Sequence, residues 1–383
     1  MLVPKRKIAI TRRKIVIGAL TAAGAALGAG LFLYLTERKD AALWKVLRLP
    51  AKGRQVVWSP DGKRLAVVMI YEPLVFGKKE RALQLWDLER GEESAPSARP
   101  MLKGLWIGEM AFSPDGRRIA ATITEGPRQV GNTFTIETTV KLLQADTLAL
   151  KQTLESGSLS HPSCLKFSPD GIFLAIGDAS KKAIELRNAE TGSLIRTLDT
   201  KQAQPWSLAF SPDSKSLVVG GTKDGRTPDS LKNVNLVTGQ IQLWDAQTGT
   251  FKHVLKQDQY VNTVALSANG KLLASGGGGN RIQLWDAQTG ELIRSLQGLS
   301  SGTRCVALSP DGQTVAAGGT DGKVRLWDAQ TGKLKATLKG PGLGWLGSSE
   351  IYSVAFSPDG KTLASASNDQ TVCLWKMQGI MEK

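Results

Sequence analysis

One short turn, repeated seven times, restricts what this chain can fold into more than any other feature. Its clearest copy opens Ser309-Pro310-Asp311-Gly312, continues through Thr314 to Ala317, turns at Thr320-Asp321-Gly322, and runs Lys323-Val324-Arg325-Leu326-Trp327-Asp328-Ala329-Gln330-Thr331-Gly332. Pro310 fixes φ at the second turn position and Gly312 closes the fourth, the chemistry of a type I turn. Thr314 to Ala317 and Lys323 to Trp327 are short runs of small, β-branched and apolar residues suited to paired strands. Asp328 to Gly332 turns once more, ending in a Gly that takes positive φ at little cost. Such a hairpin has two bare faces and cannot bury its apolar residues alone, so it must stack on copies of itself.

The copies begin at Ser59, Ser113, Ser168, Ser211, Ser267, Ser309 and Ser357, with spacings of 54, 55, 43, 56, 42 and 48 residues. The fifth reads Ser267-Ala268-Asn269-Gly270, and the fourth has Ser214 where the others have Gly. A second signature follows each turn. It keeps its Trp in Leu85-Trp86-Asp87, Leu243-Trp244-Asp245, Leu284-Trp285-Asp286, Leu326-Trp327-Asp328 and Leu374-Trp375-Lys376, and degenerates to Leu142-Leu143-Gln144 and Leu186-Arg187-Asn188. The shortest spacings equal one four-stranded propeller blade of about 40–45 residues, and the longer ones imply insertions.

These residues resemble the WD-repeat β-propeller family over roughly residues 41–383, and the Ser-Pro-Asp-Gly turn is similar to bacterial propeller repeats of the translocation-associated type. The resemblance implies an all-β fold: seven blades of four antiparallel strands. The repeat Trp residues would pack between blades, and Asp87, Asp245, Asp286 and Asp328 would accept backbone N–H bonds in the next turn. The family's Gly-His dipeptide is missing, since the two His, His161 and His253, stand elsewhere. The blades are therefore expected to hold by apolar stacking and turns, without a Trp–Ser–His–Asp network. Only eight residues follow Trp375, whereas Leu43 to Leu49 matches the outer strands, so the N-terminal strand should close the seventh blade and remove two open sheet edges.

The domain reading is a basic tail at 1–14, an apolar segment at 15–35, a link at 36–42 and the propeller at 43–383. The chain carries a net charge of +15, of which residues 1–40 supply +6 from eight Lys/Arg and two acidic residues. Ile15 to Leu35 is 21 residues without a charge, about 31 Å as a helix and long enough to cross a bilayer. Six basic residues precede it, which places the N-terminus in the cytoplasm and the propeller outside. An uncleaved signal anchor is the reading the bulky Leu31-Phe32-Leu33-Tyr34-Leu35 end favours. A signal cleaved near Ala29, with secretion, is the alternative, and Thr11-Arg12-Arg13-Lys14-Ile15-Val16 resembles a twin-arginine export signal. Gly24 and Gly28 have the spacing of a helix-dimerising face. The link reaches at most roughly 25 Å, so the propeller would lie close to the bilayer.

Extra length falls between second and third strands (71–81, 125–137, 222–239) and between outer and next inner strands (92–108, 156–163, 200–205, 340–350). Both connection types open on one face of an up-and-down blade, and variable loops on a rigid scaffold are where binding residues sit. On that face, the starts of the inner strands align as Arg54, Gly108, Ser163, Trp206, Asn262, Arg304 and Tyr352. Arg54, Trp206, Asn262, Arg304 and Tyr352, joined by Trp106 and Trp345, are the partner-binding candidates, with the composition of a protein-binding hot spot. The competing reading is that rim residues merely cover the channel.

No catalytic, metal or cofactor site is predicted. Two isolated His supply neither a multi-His metal site nor a Ser/His arrangement, and Cys164, Cys305 and Cys373 fall on different blades, as buried strand residues rather than a disulfide framework. The expected role is a membrane-anchored, non-enzymatic scaffold for protein or peptide partners on the face away from the membrane. The alternatives are a hydrolase or ligand-binding propeller using loop acids such as Glu125, Asp224 or Asp229, and a binder of anionic polymer or lipid through residues such as Lys63, Arg64, Arg117 and Arg118. Nucleic acid is not expected, given the predicted topology.

Overall fold

The computed structural model describes residues 42–71, 80–88, 106–124, 128–130, 133–135, 138–154, 162–201, 203–223, 238–299, 302–341 and 350–380. The apolar run 15–35, Gly24, Gly28, the link before residue 42, Trp345, Glu125, Asp224, Asp229 and His161 lie outside the described residues. Among the described residues no helix is long and apolar enough to cross a membrane.

Each repeat folds as an antiparallel sheet, and seven such sheets are the blades of a β-propeller. Their inner strands are Lys52–Trp58, Trp106–Phe112, Pro162–Phe167, Gln204–Phe210, Val261–Leu266, Thr303–Leu308 and Ile351–Phe356. Each inner strand packs against the next, and Lys52–Trp58 packs against Ile351–Phe356. Six sheets have four strands; the first shows three, and residues 89–105, where a fourth would fall, are outside the described residues. In the seventh sheet Leu43–Arg48 lies beside Thr371–Lys376, with Val46 opposite Cys373. Its register slips between Leu43 and Lys45, as the outer strands of blades two to six slip against their own third strands.

Burial follows strand position. Second strands lie between two neighbouring sheets, so Phe173–Asp178 and Thr314–Gly319 are buried at every residue. Their Ala, Gly, Ile and Val side chains suit that narrow space. Outer strands bury little beyond one Leu each: Leu154, Leu198, Leu255, Leu296 and Leu338. The repeat Trp residues fill the gaps between blades, Trp244 against Leu186 and Leu198 of the blade before it and Trp327 against Leu284 and Leu296.

The Ser turn is a closed hydrogen-bond set. Gly312 N–H donates to the Ser309 carbonyl at 2.8 Å, Thr314 N–H to Ser309 Oγ at 2.9 Å, and Gln313 N–H to Asp311 Oδ1 at 2.9 Å. Ser309 Oγ–H donates to the same Asp311 oxygen. Asn269 serves in the fifth copy, accepting from Ser267 Oγ at 2.7 Å and from Lys271 N–H. Ser214 takes the left-handed φ of 59° that Gly takes elsewhere, and its Oγ accepts the Asp170 N–H of the preceding blade at 3.0 Å.

The expectation that the blades lack a polar network is corrected. Trp285 Nε1–H donates to Ser275 Oγ at 2.9 Å, and that hydroxyl donates to Gln257 Oε1 at 2.7 Å. A Gln amide accepts the serine hydroxyl here, at the blade junction where the family's His is missing. Trp375 bonds Ser365 Oγ at 3.0 Å, Trp244 bonds Gln242 Oε1 at 3.2 Å, and Trp327 bonds the Gln297 carbonyl at 3.0 Å. Burying an indole N–H without an acceptor is costly; these partners remove that cost in blades four to seven, whereas Trp86 Nε1 of blade one is buried with no acceptor among the described residues.

Candidate functional site

Every inner strand carries an irregularity near its start. The ladder skips one residue at Arg54, Ser163, Trp206, Asn262, Arg304 and Tyr352. In blade two it skips two, Gly108 and Glu109. A β-bulge frees a residue from the ladder and re-aims its side chain. Here the bulges turn those side chains into a central cavity of about 460 Å3.

The cavity brings together Arg54, Trp206, Asn262, Arg304 and Tyr352, five of the seven binding candidates. Trp106 begins the inner strand of blade two, but its side chain is outside the described residues, as is Trp345. Gly108 does not line the cavity. A Cβ there would come within 2.3 Å of Thr122 Oγ1, so the wider bulge presents Glu109 instead. The strand ends joined by residues 72–79, 125–137, 224–237 and 342–349 lie at this mouth.

The mouth is preorganised. The Arg54 guanidinium stacks 4.7 Å from the Tyr352 ring centre, and Arg304 stands 5.9 Å from it. Arg304 also reaches Glu350 at 3.4 Å. Such cation–π contacts strengthen as water is removed. Burial pushes the Tyr352 hydroxyl above its ordinary value, with Glu350 adding to the effect. Trp206 Nε1–H donates to Thr222 Oγ1 at 3.2 Å, fixing the indole.

One residue further along, four of the inner strands are stitched to the next blade by a side chain. Val56 N–H donates to Ser353 Oγ at 3.2 Å, Met110 N–H to Gln55 Oε1 at 2.9 Å, Val264 N–H to Ser207 Oγ at 3.0 Å, and Val306 N–H to Thr263 Oγ1 at 3.2 Å. Cys305 fills the same position in blade six, where its Sγ–H donates to the Gly318 and Ile351 carbonyls, each at 3.8 Å. Glu109 and Cys164 occupy this position in blades two and three. Gln55 Nε2–H donates to Glu109 Oε2 at 2.7 Å.

Three residues beyond the bulge of blade three stands Lys166. The equivalent residues in the other blades, two before each turn Ser, are Val57, Ala111, Ala209, Ala265, Ala307 and Ala355. Lys166 is exposed, and the surface it keeps faces the cavity. Burial pushes the Lys166 amine below its ordinary value and the Glu109 carboxyl above its own, each charge partly offsetting the other's shift. The strand starts alone point to neither residue. Counting back two from each Ser, which gives small residues six times and Lys once, was the signal for Lys166.

The other predicted roles separate clearly. Asp245 and Asp328 accept the Thr248 and Thr331 N–H groups, which hold both carboxyls at about 2. Asp286 makes the same contact with Thr289. Trp86, Trp244, Trp285, Trp327 and Trp375 are buried. Cys164, Cys305 and Cys373 are free and buried. Among the described residues, no three His, Cys, Asp or Glu side chains gather as a metal site.

Comparison with known proteins agrees with the repeat. The family model for "WD domain, G-beta repeat" matches residues 192–227, 247–286, 290–328 and 332–376. The chain is 24% identical over 234 residues to human "WD repeat-containing protein 3", covering 58% of this chain and 21% of that protein. It is 27% identical over 250 residues to "Eukaryotic translation initiation factor 3 subunit I" of Candida albicans, covering 58% of this chain and 65% of that one. It is 29% identical over 168 residues to "WD repeat-containing protein VIP3" of Arabidopsis thaliana, covering 43% and 51%. Thus the chain spans from about a fifth to just under two thirds of the length of these relatives.

Proposed function

We propose that this chain, a WD40-repeat β-propeller, is a non-catalytic scaffold that receives a protein or peptide partner at the channel mouth. WD40 propellers generally mediate protein–protein interaction. The observation that carries the reading here is the convergence of Arg54, Trp206, Asn262, Arg304 and Tyr352 on one cavity. A bulge residue makes no ladder bond, so the fold does not dictate its identity. That five of these places hold Arg, Trp, Asn or Tyr supports selection for contact, because aromatic and Arg side chains dominate binding hot spots. The long connections at the same end extend that surface.

The location we infer rests on residues 1–35 alone. Residues 15–35 are read as an uncleaved anchor with the N-terminus cytoplasmic and the propeller outside, and Leu43–Arg48 as the strand that completes the seventh blade. Extraction of membranes at alkaline pH tests the anchor: release of the chain into the supernatant would overturn it.

The partner reading is tested by crosslinking and pull-down from native membranes. Wild type is compared with a variant in which Arg54, Trp206, Arg304 and Tyr352 are all changed to Ala, once both are shown to fold. Partners lost only from the variant are the expected result. An unchanged partner set would remove the mouth from the binding function.

A further inference from the structure

We infer that the central cavity is a carboxylate site, in which Lys166 binds the acidic end of an extended ligand that enters between Arg54 and Arg304. The inference deepens the partner reading above by naming the chemistry the mouth receives. It begins with an anomaly of sequence. At the position two before the turn Ser, the ring accepts only Val or Ala in six blades, and Lys in the third. A structural role would be served by Ala there too.

Lys166 makes no hydrogen bond or ion pair with any described residue, and its exposed side chain faces the cavity. An ammonium has three donors and no acceptor. None of these donors is used by a described residue, so all three are open to a ligand in the cavity. Glu109 is the nearest counter-charge, but its Oε2 is already held by Gln55 at 2.7 Å, and it forms no ion pair with Lys166.

Charge, depth and volume define the ligand. Arg54, Lys166 and Arg304 line the cavity with one acid, Glu109, and Glu350 pairs with Arg304, so the cavity favours an anion. Lys166 is three residues below the bulge layer, about 10 Å along the strand. The anion must therefore sit at the end of a narrow arm. A cavity of about 460 Å3 is within the range that holds small ligands, and Trp206 and Tyr352 offer apolar faces for the arm. Two sources share this chemistry: a free aliphatic carboxylic acid, or the C-terminus or acidic side chain of a peptide.

The full chain, purified in detergent, is titrated calorimetrically with hexanoate, with a short peptide bearing a free C-terminus, with the same peptide amidated, and with inorganic phosphate. Binding of hexanoate or the free peptide is expected, and the stronger of the two identifies the source. Lys166→Met should weaken it by about ten-fold or more, the scale of one charge-assisted hydrogen bond, while Lys166→Arg should keep most of it. As a readout free of mutation, bound carboxylate should protect the Lys166 amine of the wild type from acetylation, followed by mass spectrometry. Equal binding by Lys166→Met, unchanged acetylation, or tighter binding of phosphate than of any carboxylate would overturn the inference. These outcomes are separable from the partner test, since Lys166 is intact in the four-Ala mouth variant. Partners lost from that variant while Lys166→Met still binds carboxylate normally would overturn the carboxylate site alone.

Discussion

Changing Ser353 to Ala should destabilise the ring at the junction of its first and seventh blades. Ser353 Oγ accepts the Val56 N–H at 3.2 Å and lies 3.4 Å from the Val56 carbonyl, to which it donates. Val56 is 2% exposed, so the bond lies between packed blades. Losing a hydrogen bond whose partners both find water costs about 0.5–1.5 kcal/mol, whereas leaving the amide without an acceptor costs about 1–3 kcal/mol. The burial of Val56 selects the higher range. Ser353→Cys should recover part of the loss, because a thiol fills the same position at Cys305 in blade six, buried and in contact with Ile351 of the next blade. Equilibrium urea unfolding, read by Trp fluorescence, gives the midpoint and slope, and a shifted midpoint at constant slope is the signature of changed native stability. A Ser353→Ala variant as stable as wild type would show that cavity water replaces the hydroxyl. A Cys variant no better than Ala would show that the site needs the stronger oxygen acceptor and that filling its volume is not enough.

Three further outcomes follow from the same geometry. Gly277→Ala should cost about 3 kcal/mol, the upper range for overpacking, because its Cβ would fall 1.7 Å from the Tyr260 carbonyl oxygen; Gly270→Ala, whose obstacle is chiefly a φ of 68°, should cost about 1–2 kcal/mol, and equal midpoints for the two would refute the comparison. Asp245 and Asp328 are held at about 2 against an ordinary 3.8 by the Thr248 and Thr331 amides, so their contribution is complete above pH 3.8 and is lost as pH falls towards 2; Asp328→Asn should flatten stability across that window, and an unchanged acid profile would exclude this residue as a source. Burial pushes Cys164, Cys305 and Cys373 up to about 12, so Ellman's reagent at pH 8 should find no reactive thiol in the native protein and all three after denaturation.

The parts of this molecule that were legible in its sequence are those made by local chemistry. Ser309, Asp311 and Gly312 form their turn from neighbours in the chain, so a reading of residue types sufficed. The mouth residues were legible because they stand at a constant offset from that turn. Glu109 was not, because blade two skips two residues where the others skip one, and only the position of Thr122 against Gly108 explains why. The stitches between blades were also hidden. Gln55 and Met110 are 55 residues apart, and nothing in either segment announces the other. The missing Gly-His dipeptide misled for the same reason: Gln257 and Ser275 meet only after the strands are paired and the blades packed.

Two kinds of freedom in the ring therefore carry different weight. Apart from Gly108, where Thr122 leaves no room for a Cβ, a bulge residue makes no ladder bond, so Arg54, Trp206 or Tyr352 breaks no rule of strand pairing, and any one of them alone says little. Their force comes from convergence. At the position of Lys166 the fold does make a demand, met by Val or Ala in six blades of seven. A chain that places an ammonium there sets a cation in the cavity where the other blades hold a small apolar side chain. A residue that departs from what six blades keep points to function more strongly than one that the scaffold leaves free. Lys166 is thus the better single probe of what the cavity does, and the mouth residues are better probed together.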